Sequence, residues 1–220
     1  KDVILEKPMG VVSFKEAVDL VEYCKIAKRK LFVIKQNRCN PVIQKLRETV
    51  QKGRFGKIIS ANAILRWKRT QDYYQLDSWR GTKKLDGGVL MNQASHHVDL
   101  LRWVMGDVNT VFAKRRTFLR QIESEDTAMA LLEFKNGALG TIEATTCASP
   151  SDIEASLTVL GEKGSVKIGG TSVNKIDFWR FEDSLPSEEE GMKKLDEHPD
   201  TVYGNGHIVF FKNIADVLLN

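Results

Sequence analysis

Apolar residues near the start of the chain form two short continuous runs with a helical pattern between them. Val3–Leu5 and Leu31–Ile34 are runs of the kind that forms buried strands. Between them, the Ser13-x-x-Glu16 capping box opens an apolar pattern at helical spacing that continues to Ala27. A helix that connects two nearby strands is the usual crossover between parallel neighbours. We therefore predict a parallel strand–helix–strand unit.

The next stretch alternates helix, strand, loop and helix. Asn40 and Pro41 supply an N-cap and a proline at the first helical position. Ile58–Arg69 has the pattern of a long strand, and residues 70–88 are polar and Gly-containing, which predicts a loop. Val89–Met105 has apolar residues at helical spacing and predicts a helix.

After Asp107 the pattern changes to short alternating runs separated by turn signals, which predicts β-structure. The acidic segment Leu185–Asp200 shows little periodicity and predicts a surface loop, and Gly206–Leu219 predicts a final helix. The predicted strands are Thr110–Ala113, Thr127–Phe134, Leu139–Thr146, Ser156–Leu160, Ser165–Ile168 and Lys175–Trp179.

These elements predict an α/β (α+β) chain in two parts. Residues 1–38 form a βαβ piece that is too small to be a domain by itself. For residues 39–220 we predict a domain with an open, mostly antiparallel mixed sheet. Helices cover one face of this sheet, and the other face is free to pack.

Composition adds limits on the class of protein. Hydrophobic residues make up 42% and charged residues 28% of the 220, an ordinary globular mixture. No apolar run approaches the length of about 18 residues that a membrane helix needs, so we predict no membrane partner. Three cysteines without CxxC spacing and the lack of a signal peptide predict a cytoplasmic protein. The chain opens without Met in a strand pattern, which suggests the cut edge of a longer protein.

The charges are distributed unevenly. Residues 1–120 carry 25 Lys and Arg against 11 Asp and Glu, whereas residues 121–220 carry 8 against 18. A basic first half suits an anionic ligand, although any one basic cluster is more often a solvated surface. The basic residues are scattered and follow no nucleic-acid-binding motif, so we predict no nucleic-acid partner.

Two candidate sites for chemistry follow from the predicted elements. Glu6-Lys7-Pro8 lies at the carboxyl end of a predicted parallel strand, where open α/β sheets bind ligands. A lysine there can bind a hydroxyl or accept a proton, or it can be a solvated charge. In the predicted second site, Asn92 and His96 are spaced i, i+4 on a helix preceded by two glycines, which predicts an acid/base pocket. His96 can alternatively be an interior histidine.

Further polar candidates lie in loops. Tyr73, Arg80 and Thr82 belong to an aromatic loop that suits a phosphate- or carboxylate-bearing ligand, or they are packed loop residues. Gln36 and Arg38 follow the second predicted strand, again at its carboxyl end. We predict no metal site, since no Cys or clustered carboxylate supports His96 and its neighbour. No GxGxxG follows any strand, so these residues carry no dinucleotide fingerprint.

These residues resemble the Gfo/Idh/MocA oxidoreductases. The resemblance rests on EKP at a strand end and on GG-x3-N-x3-H-x2-DLL-x-W-x2-G further along. Within the family, the segments KQNRCNP, YYQLDSWRGTKKLDGGVLMNQASHHVDLLRWVMG and TVYGNGHIVFFKNIADVLL look most like bacterial UDP-N-acetyl-2-amino-2-deoxyglucuronate 3-dehydrogenases. The resemblance implies that residues 1–38 are the last part of a Rossmann domain and that residues 39–220 bind substrate and associate through the open sheet as a homo-oligomer.

The resemblance also implies a reaction and a set of roles. The reaction is oxidation of the C3 alcohol of a UDP-sugar acid by NAD or NADP, in surface-polysaccharide sugar synthesis. Lys7 and His96 match catalytic positions, and Asn92 stands where many members carry Asp. The expected substrate contacts are Asn92, Arg80, Thr82, Tyr73 and Arg38, and the expected cofactor contacts are Glu6, Lys7, Pro8 and Gln36.

The family's glycine-rich cofactor loop should precede Lys1. We therefore expect these residues alone to lack tight NAD binding and turnover. Two alternatives stay open: a family member acting on an inositol or free sugar, and a non-catalytic module that assembles through its sheet.

Overall fold

The computed structural model describes residues 1–9, 13–170, 173–196 and 205–219. At the start, strands β1 (Val3–Leu5) and β2 (Leu31–Val33) pair in parallel and are joined by helix α1 (Phe14–Ile26). The Ser13 hydroxyl accepts a hydrogen bond from the Glu16 backbone N–H at 3.2 Å, as the capping box requires. The predicted strand–helix–strand unit is confirmed.

Within the described residues, a second sheet orders seven strands as β4-β5-β6-β3-β7-β8-β9. Only β3 and β6 pair in parallel among these neighbours; the other pairs are antiparallel. The predicted mixed, mostly antiparallel sheet is therefore confirmed. The strands are β3 (Ile58–Arg66), β4 (Val108–Arg116), β5 (Thr127–Phe134), β6 (Leu139–Thr145), β7 (Glu154–Gly161), β8 (Gly164–Gly169) and β9 (Lys175–Phe181).

Helices α2 (Pro41–Gln51) and α4 (Ser95–Met105) cover one face of this sheet. Leu46 of α2 and Leu101 of α4 pack into one buried cluster with strand residues such as Leu157. The opposite face keeps large apolar side chains in solvent, because Met129 and Leu131 of β5 are 55% and 51% exposed. The sheet is thus covered on one face and open on the other, as the alternating strand pattern predicts.

Several boundaries differ from the sequence predictions. Helix α3 (Gln71–Gln75) lies inside the predicted loop 70–88, and helix α5 (Pro186–Lys193) lies inside the predicted loop Leu185–Asp200, whose last four residues are outside the described ranges. The final helix α6 (Gly206–Leu219) begins where predicted. No helix in the described ranges combines the length and the apolar character that a membrane span requires.

The largest correction concerns α4, which begins at Ser95 and not at Val89. Gly87 and Gly88 have φ values of 74° and 93°, outside the helical region. The Val89 N–H donates to the carbonyl of Glu125, which belongs to the segment before β5. Residues 89–94 consequently form irregular turns. A contact distant in sequence therefore outweighs the local helical pattern.

Candidate active site

The two predicted sites lie together at the carboxyl end of β1. Lys7 follows β1, and its Nζ donates to the backbone oxygen of Asn92 at 2.9 Å and to the side-chain Oδ1 of Asn92 at 3.1 Å. Lys7 and Asn92 are 85 positions apart in the chain, so the fold itself creates this contact. Asn92 belongs to the irregular turns before α4 and not to the helix. The prediction that Asn92 shares one helix with His96 was therefore wrong, and the fold instead places Asn92 against Lys7.

The surroundings of Lys7 lower its pKa below the ordinary value for a lysine. Burial lowers the pKa of Lys7, and the positive charges of Lys35 and Arg80 act in the same direction. The carboxylates of Glu6 and Asp86 oppose this shift. A lysine with a lowered pKa is a better base near neutral pH than a solvated lysine.

His96 lies at the start of α4 and shares this environment. Its Nε2 is 3.3 Å from the side-chain Nε2 of Gln36, in the 3₁₀ turn Gln36–Cys39 that follows β2. Burial, followed by the charges of Lys7 and Lys35, lowers the pKa of His96 to about 3. The imidazole is therefore neutral at pH 7, and its Nε2 accepts from the Gln36 amide nitrogen, which can only donate.

Asp86 is a member of the site to which the sequence motifs assign no role. It is 2% exposed and accepts a hydrogen bond from the backbone N–H of Gly81 at 2.6 Å. Its second oxygen accepts from the Nδ2 of Asn92. Burial raises the pKa of Asp86, while these hydrogen bonds and the charges of Arg80 and Lys7 oppose the rise. The available sequence signal was an acidic residue directly before the Gly-Gly turn.

The aromatic loop brings Tyr73 and Arg80 together. The Nη1 of Arg80 donates to the Tyr73 hydroxyl at 2.6 Å, and its guanidinium lies 4.5 Å from the centre of the Tyr73 ring. Gln93, in the turns before α4, also donates to the Tyr73 hydroxyl at 3.1 Å. The hydroxyl of Thr82 donates to the carbonyl of Trp79 at 2.7 Å, so it takes part in the turn itself. The hydrogen bond between Gln93 and Tyr73 connects the loop to the segment that contains Asn92.

The sequence predicts that Arg38 contacts an anionic ligand, and in the structure Arg38 contacts a carboxylate of the protein itself. Its Nε and Nη2 donate to the two carboxylate oxygens of Asp99 on α4 at 2.7 and 2.6 Å. Its guanidinium also lies 5.3 Å from the centre of the Trp103 ring. A bidentate pair of this kind attaches the 3₁₀ turn to α4, beside His96.

Comparisons with known proteins agree with this fold. The GFO/IDH/MocA C-terminal domain family matches residues 43–167. This match spans more than half of the 220 residues, so the chain belongs to the GFO/IDH/MocA family.

Two solved structures give a more detailed comparison. The WlbA dehydrogenase from Bordetella pertussis, in complex with NADH and UDP-GlcNAcA, is 40% identical with a TM-score of 0.90, over 99% of this chain and 62% of that chain. The WlbA dehydrogenase from Chromobacterium violaceum, in complex with the same two molecules, is 40% identical with a TM-score of 0.88, over 98% of this chain and 60% of that chain.

A relative with another substrate also matches. The myo-inositol 2-dehydrogenase of Thermotoga maritima is 29% identical, over 76% of this chain and 48% of the relative. The chain therefore spans about three fifths of the WlbA chains and about half of this curated relative. All three relatives are dehydrogenases.

Proposed function

We propose that the protein containing this chain oxidises the C3 secondary alcohol of a UDP-sugar acid, with transfer of a hydride to NAD or NADP. The observation that carries the proposal is the position of Lys7, held by two oxygens of Asn92 in the environment that also lowers the pKa of His96. The 40% identity to two WlbA dehydrogenases solved with NADH and UDP-GlcNAcA supports the choice of substrate class.

The residues of this chain provide the proton acceptor. A hydride leaves a carbinol carbon only as the hydroxyl proton leaves, so a base must touch that oxygen. Neutral Lys7 is the proposed base, and His96 is the second candidate. In this proposal, the neutral imidazole of His96 donates its N–H to the oxygen of the same hydroxyl, so that the hydroxyl proton points to Lys7. The nicotinamide, when bound, supplies the hydride acceptor.

Residues after β2 are suited to hold part of the cofactor. The Oε1 of Gln36 and the Oδ1 of Asn37 are buried and have no hydrogen-bond partner within the part of the chain that the structure describes. Buried acceptors without a partner are costly unless a ligand or water donates to them. They lie at the carboxyl end of β2, where parallel sheets bind ligands. With Glu6, Lys7 and Pro8, they form the proposed contact region for the nicotinamide half.

Arg80 is the proposed contact for the diphosphate or the sugar carboxylate, with Tyr73 and Thr82 beside it and Arg38 as a further candidate. The alternative is a neutral polyol, as in the inositol dehydrogenase relative. Replacing Arg80 by Ala separates the two, because loss of a charge-assisted contact should raise the KM for a UDP-sugar acid about tenfold or more. An unchanged KM for UDP-sugars, together with turnover of an inositol, would support the alternative.

Residues 1–220 alone should bind NAD weakly, because they contain no glycine-rich phosphate loop. Calorimetric titration of these residues with NAD tests this, and micromolar affinity would contradict it. A thermal-shift screen of UDP-sugars on the same residues and on the complete gene product tests the substrate class. Stabilisation by UDP-sugar acids in both, with NADH formation only in the complete gene product, is the expected result.

The open sheet face is the proposed homo-oligomer interface. Phe112 of β4 pairs with Leu131 of β5 in the antiparallel ladder, so these two side chains share a face; they are 65% and 51% exposed. Leu139 of β6 pairs with Glu133 of β5 in the next ladder and is 54% exposed. Exposed apolar patches of this kind mark interfaces. Leu131→Arg should dissociate a dimer or tetramer in sedimentation experiments, whereas Glu162→Arg, in the turn between β7 and β8, should not.

A non-catalytic assembly module remains the alternative in a different class. It predicts a stable oligomer in which replacement of Lys7 and His96 has no chemical consequence. We place the reaction in the cytoplasm and in surface-polysaccharide sugar synthesis, in keeping with the three free cysteines and the nucleotide-sugar substrate class.

A further inference from the structure

We propose that Asp86 is a positioning residue that sets the direction of the Lys7 lone pair through the side-chain amide of Asn92. The inference rests on the proposed dehydrogenase function. Asp86 touches neither the proposed base nor the proposed substrate hydroxyl. It is connected to Lys7 by a series of hydrogen bonds that runs from Gly81 through Asp86 and Asn92 to Lys7.

A neutral lysine amine has two N–H groups and one lone pair. The Nζ of Lys7 lies 2.9 Å from the backbone oxygen and 3.1 Å from the Oδ1 of Asn92, and both of these atoms are acceptors. If each accepts one N–H, the lone pair has a single direction left, away from Asn92. That direction is where a substrate hydroxyl must lie for Lys7 to take its proton.

This arrangement requires the oxygen of the Asn92 amide, and not its nitrogen, to face Lys7. The two ends of an amide are similar in shape, so shape alone does not select the orientation. Asp86 selects it, because a carboxylate only accepts hydrogen bonds and the Nδ2 of Asn92 donates to it. Asp86 is itself fixed, since its other oxygen accepts the Gly81 backbone N–H at 2.6 Å.

Replacing Asp86 by Asn should reverse the amide of Asn92. The oxygen of the new side chain must accept from the Gly81 N–H, so its NH2 group must face Asn92. Two NH2 groups then oppose each other until the Asn92 amide turns by 180° and presents its own nitrogen to Lys7. Lys7 must then accept this hydrogen bond with its lone pair, and the base is lost while the fold remains.

The charges around Lys7 give a second, independent readout. The groups that face it are Glu6 beside it, Lys35 after β2, Arg80 and Asp86 in the loop before the Gly-Gly turn, and His96 on α4. Of these, Glu6 and Asp86 raise the pKa of Lys7. Asp86→Asn should therefore lower that pKa. Moving the carboxylate to position 92 by Asn92→Asp should raise it, because the charge then touches Nζ directly.

The first test compares four forms of the complete gene product: wild type, Asp86→Asn, the swap Asp86→Asn/Asn92→Asp, and the exposed control Asp107→Asn. We expect Asp86→Asn to lower kcat about 10- to 100-fold, with the KM for NAD and for the UDP-sugar changed less than about threefold. The swap restores two acceptors that cannot flip, so kcat at its own optimum should recover, with the pH profile moved to higher pH. Asp107→Asn should match wild type.

Wild-type kcat in Asp86→Asn, or a swap as inactive as Asp86→Asn, would overturn the proposal. A lower melting temperature with an unchanged pH profile would also overturn it, since that result is what a structural role predicts.

The second test keeps this inference separate from the proposed function. Lysine labelled with ¹³C at Cε is titrated by NMR in residues 1–220, and the Lys7 signal is assigned by its loss in Lys7→Arg. A pKa of Lys7 that falls in Asp86→Asn, rises in the swap and is unchanged in Asp107→Asn supports the role of Asp86 even if no UDP-sugar is oxidised. Identical titrations in all four forms would refute it, whatever the dehydrogenase assay shows.

Discussion

Helix α4 has one side that contacts polar residues of the proposed site and one side that packs against the sheet. The side that meets the 3₁₀ turn and α2 carries His96, Asp99 and Trp103. Their contacts are Gln36 and Arg38 of the turn and Arg47 of α2. The side that meets the sheet carries His97, Leu100, Leu101 and Val104, which are all at most 5% exposed. One helix therefore completes the hydrophobic core and also supports the proposed site, and changes on its two sides should have separable effects.

The adjacent histidines show this difference most directly. His96 faces a polar partner and the charge of Lys7, whereas His97 packs against Trp67 with ring centres 6.2 Å apart. Neither ring nitrogen of His97 has a hydrogen-bond partner among the described residues. Adjacent positions on a helix point in directions about 100° apart, so neighbours in sequence can lie in different environments.

The largest effect should come from the polar side. Replacing His96 by Asn in the complete gene product removes the imidazole that we place on the reacting hydroxyl. We expect kcat to fall about 10²- to 10⁴-fold, measured as NADH formation, with a melting temperature close to that of wild type. Retention of more than a tenth of wild-type kcat would contradict the assigned role.

On the sheet side, Leu101→Ala should act on stability and not on chemistry. Leu101 is 1% exposed and belongs to the main core cluster. Truncation should reduce the free energy of unfolding by about 2–5 kcal/mol, measured by urea denaturation of residues 1–220. The kcat of the folded variant should stay within about threefold of wild type. A large loss of kcat without destabilisation would show that the two sides are not separable.

His97 should make the chain sensitive to acid. Burial lowers its pKa to about 4, from 6.5 for an ordinary histidine. Above pH 6.5 the folded and unfolded states bind the same number of protons at this site. Below pH 6.5 the unfolded state binds more, so stability should fall by about 2–4 kcal/mol between pH 6.5 and pH 4. Urea denaturation across this range measures the slope, and His97→Phe should reduce it.

His96 should also make the free energy of unfolding fall as the pH falls, because its pKa is lowered too. The double variant His96→Asn/His97→Phe should therefore have a smaller acid slope than either single variant. A slope in His97→Phe that equals that of wild type would mean that the pKa of His97 is the same in the folded and unfolded states.

The smallest effect should come from the contact between the two sequence parts. Arg38 and Asp99 form a bidentate, partly buried pair that links the 3₁₀ turn to α4. A double-mutant cycle with Arg38→Ala and Asp99→Ala should give a coupling energy of about 1–2 kcal/mol in the free energy of unfolding. If Arg38 instead serves mainly as an anion contact, the coupling should be near zero and Arg38→Ala should mainly raise the KM for UDP-sugars.

Local patterns predicted most of the elements correctly. The capping box at Ser13 and the alternating runs after Asp107 identify α1 and the strands, because both signals depend on residues a few positions apart. The alternating pattern of β5 also predicted an open face, on which Met129 and Leu131 lie. Lys7 and His96 were identified by motif and resemblance, and their proposed roles stay predictions.

The start of α4 and the role of Asp86 could not be read from local sequence. Helical periodicity continues through Val89, yet its N–H bonds to Glu125, 36 positions away. Likewise, Asp86 gains its significance from Asn92 and, through it, from Lys7 near the start of the chain.

The sequence by itself determined which segments are strands and helices, and which residues are chemically able to act as a base. The tertiary structure decided which donors face which acceptors, because hydrogen-bond direction depends on atoms brought together from distant segments. It also decided that β3 and β6 run in parallel in an otherwise antiparallel sheet. Strand periodicity specifies which face of a strand is buried, whereas the direction of its neighbour is set by the connections between them.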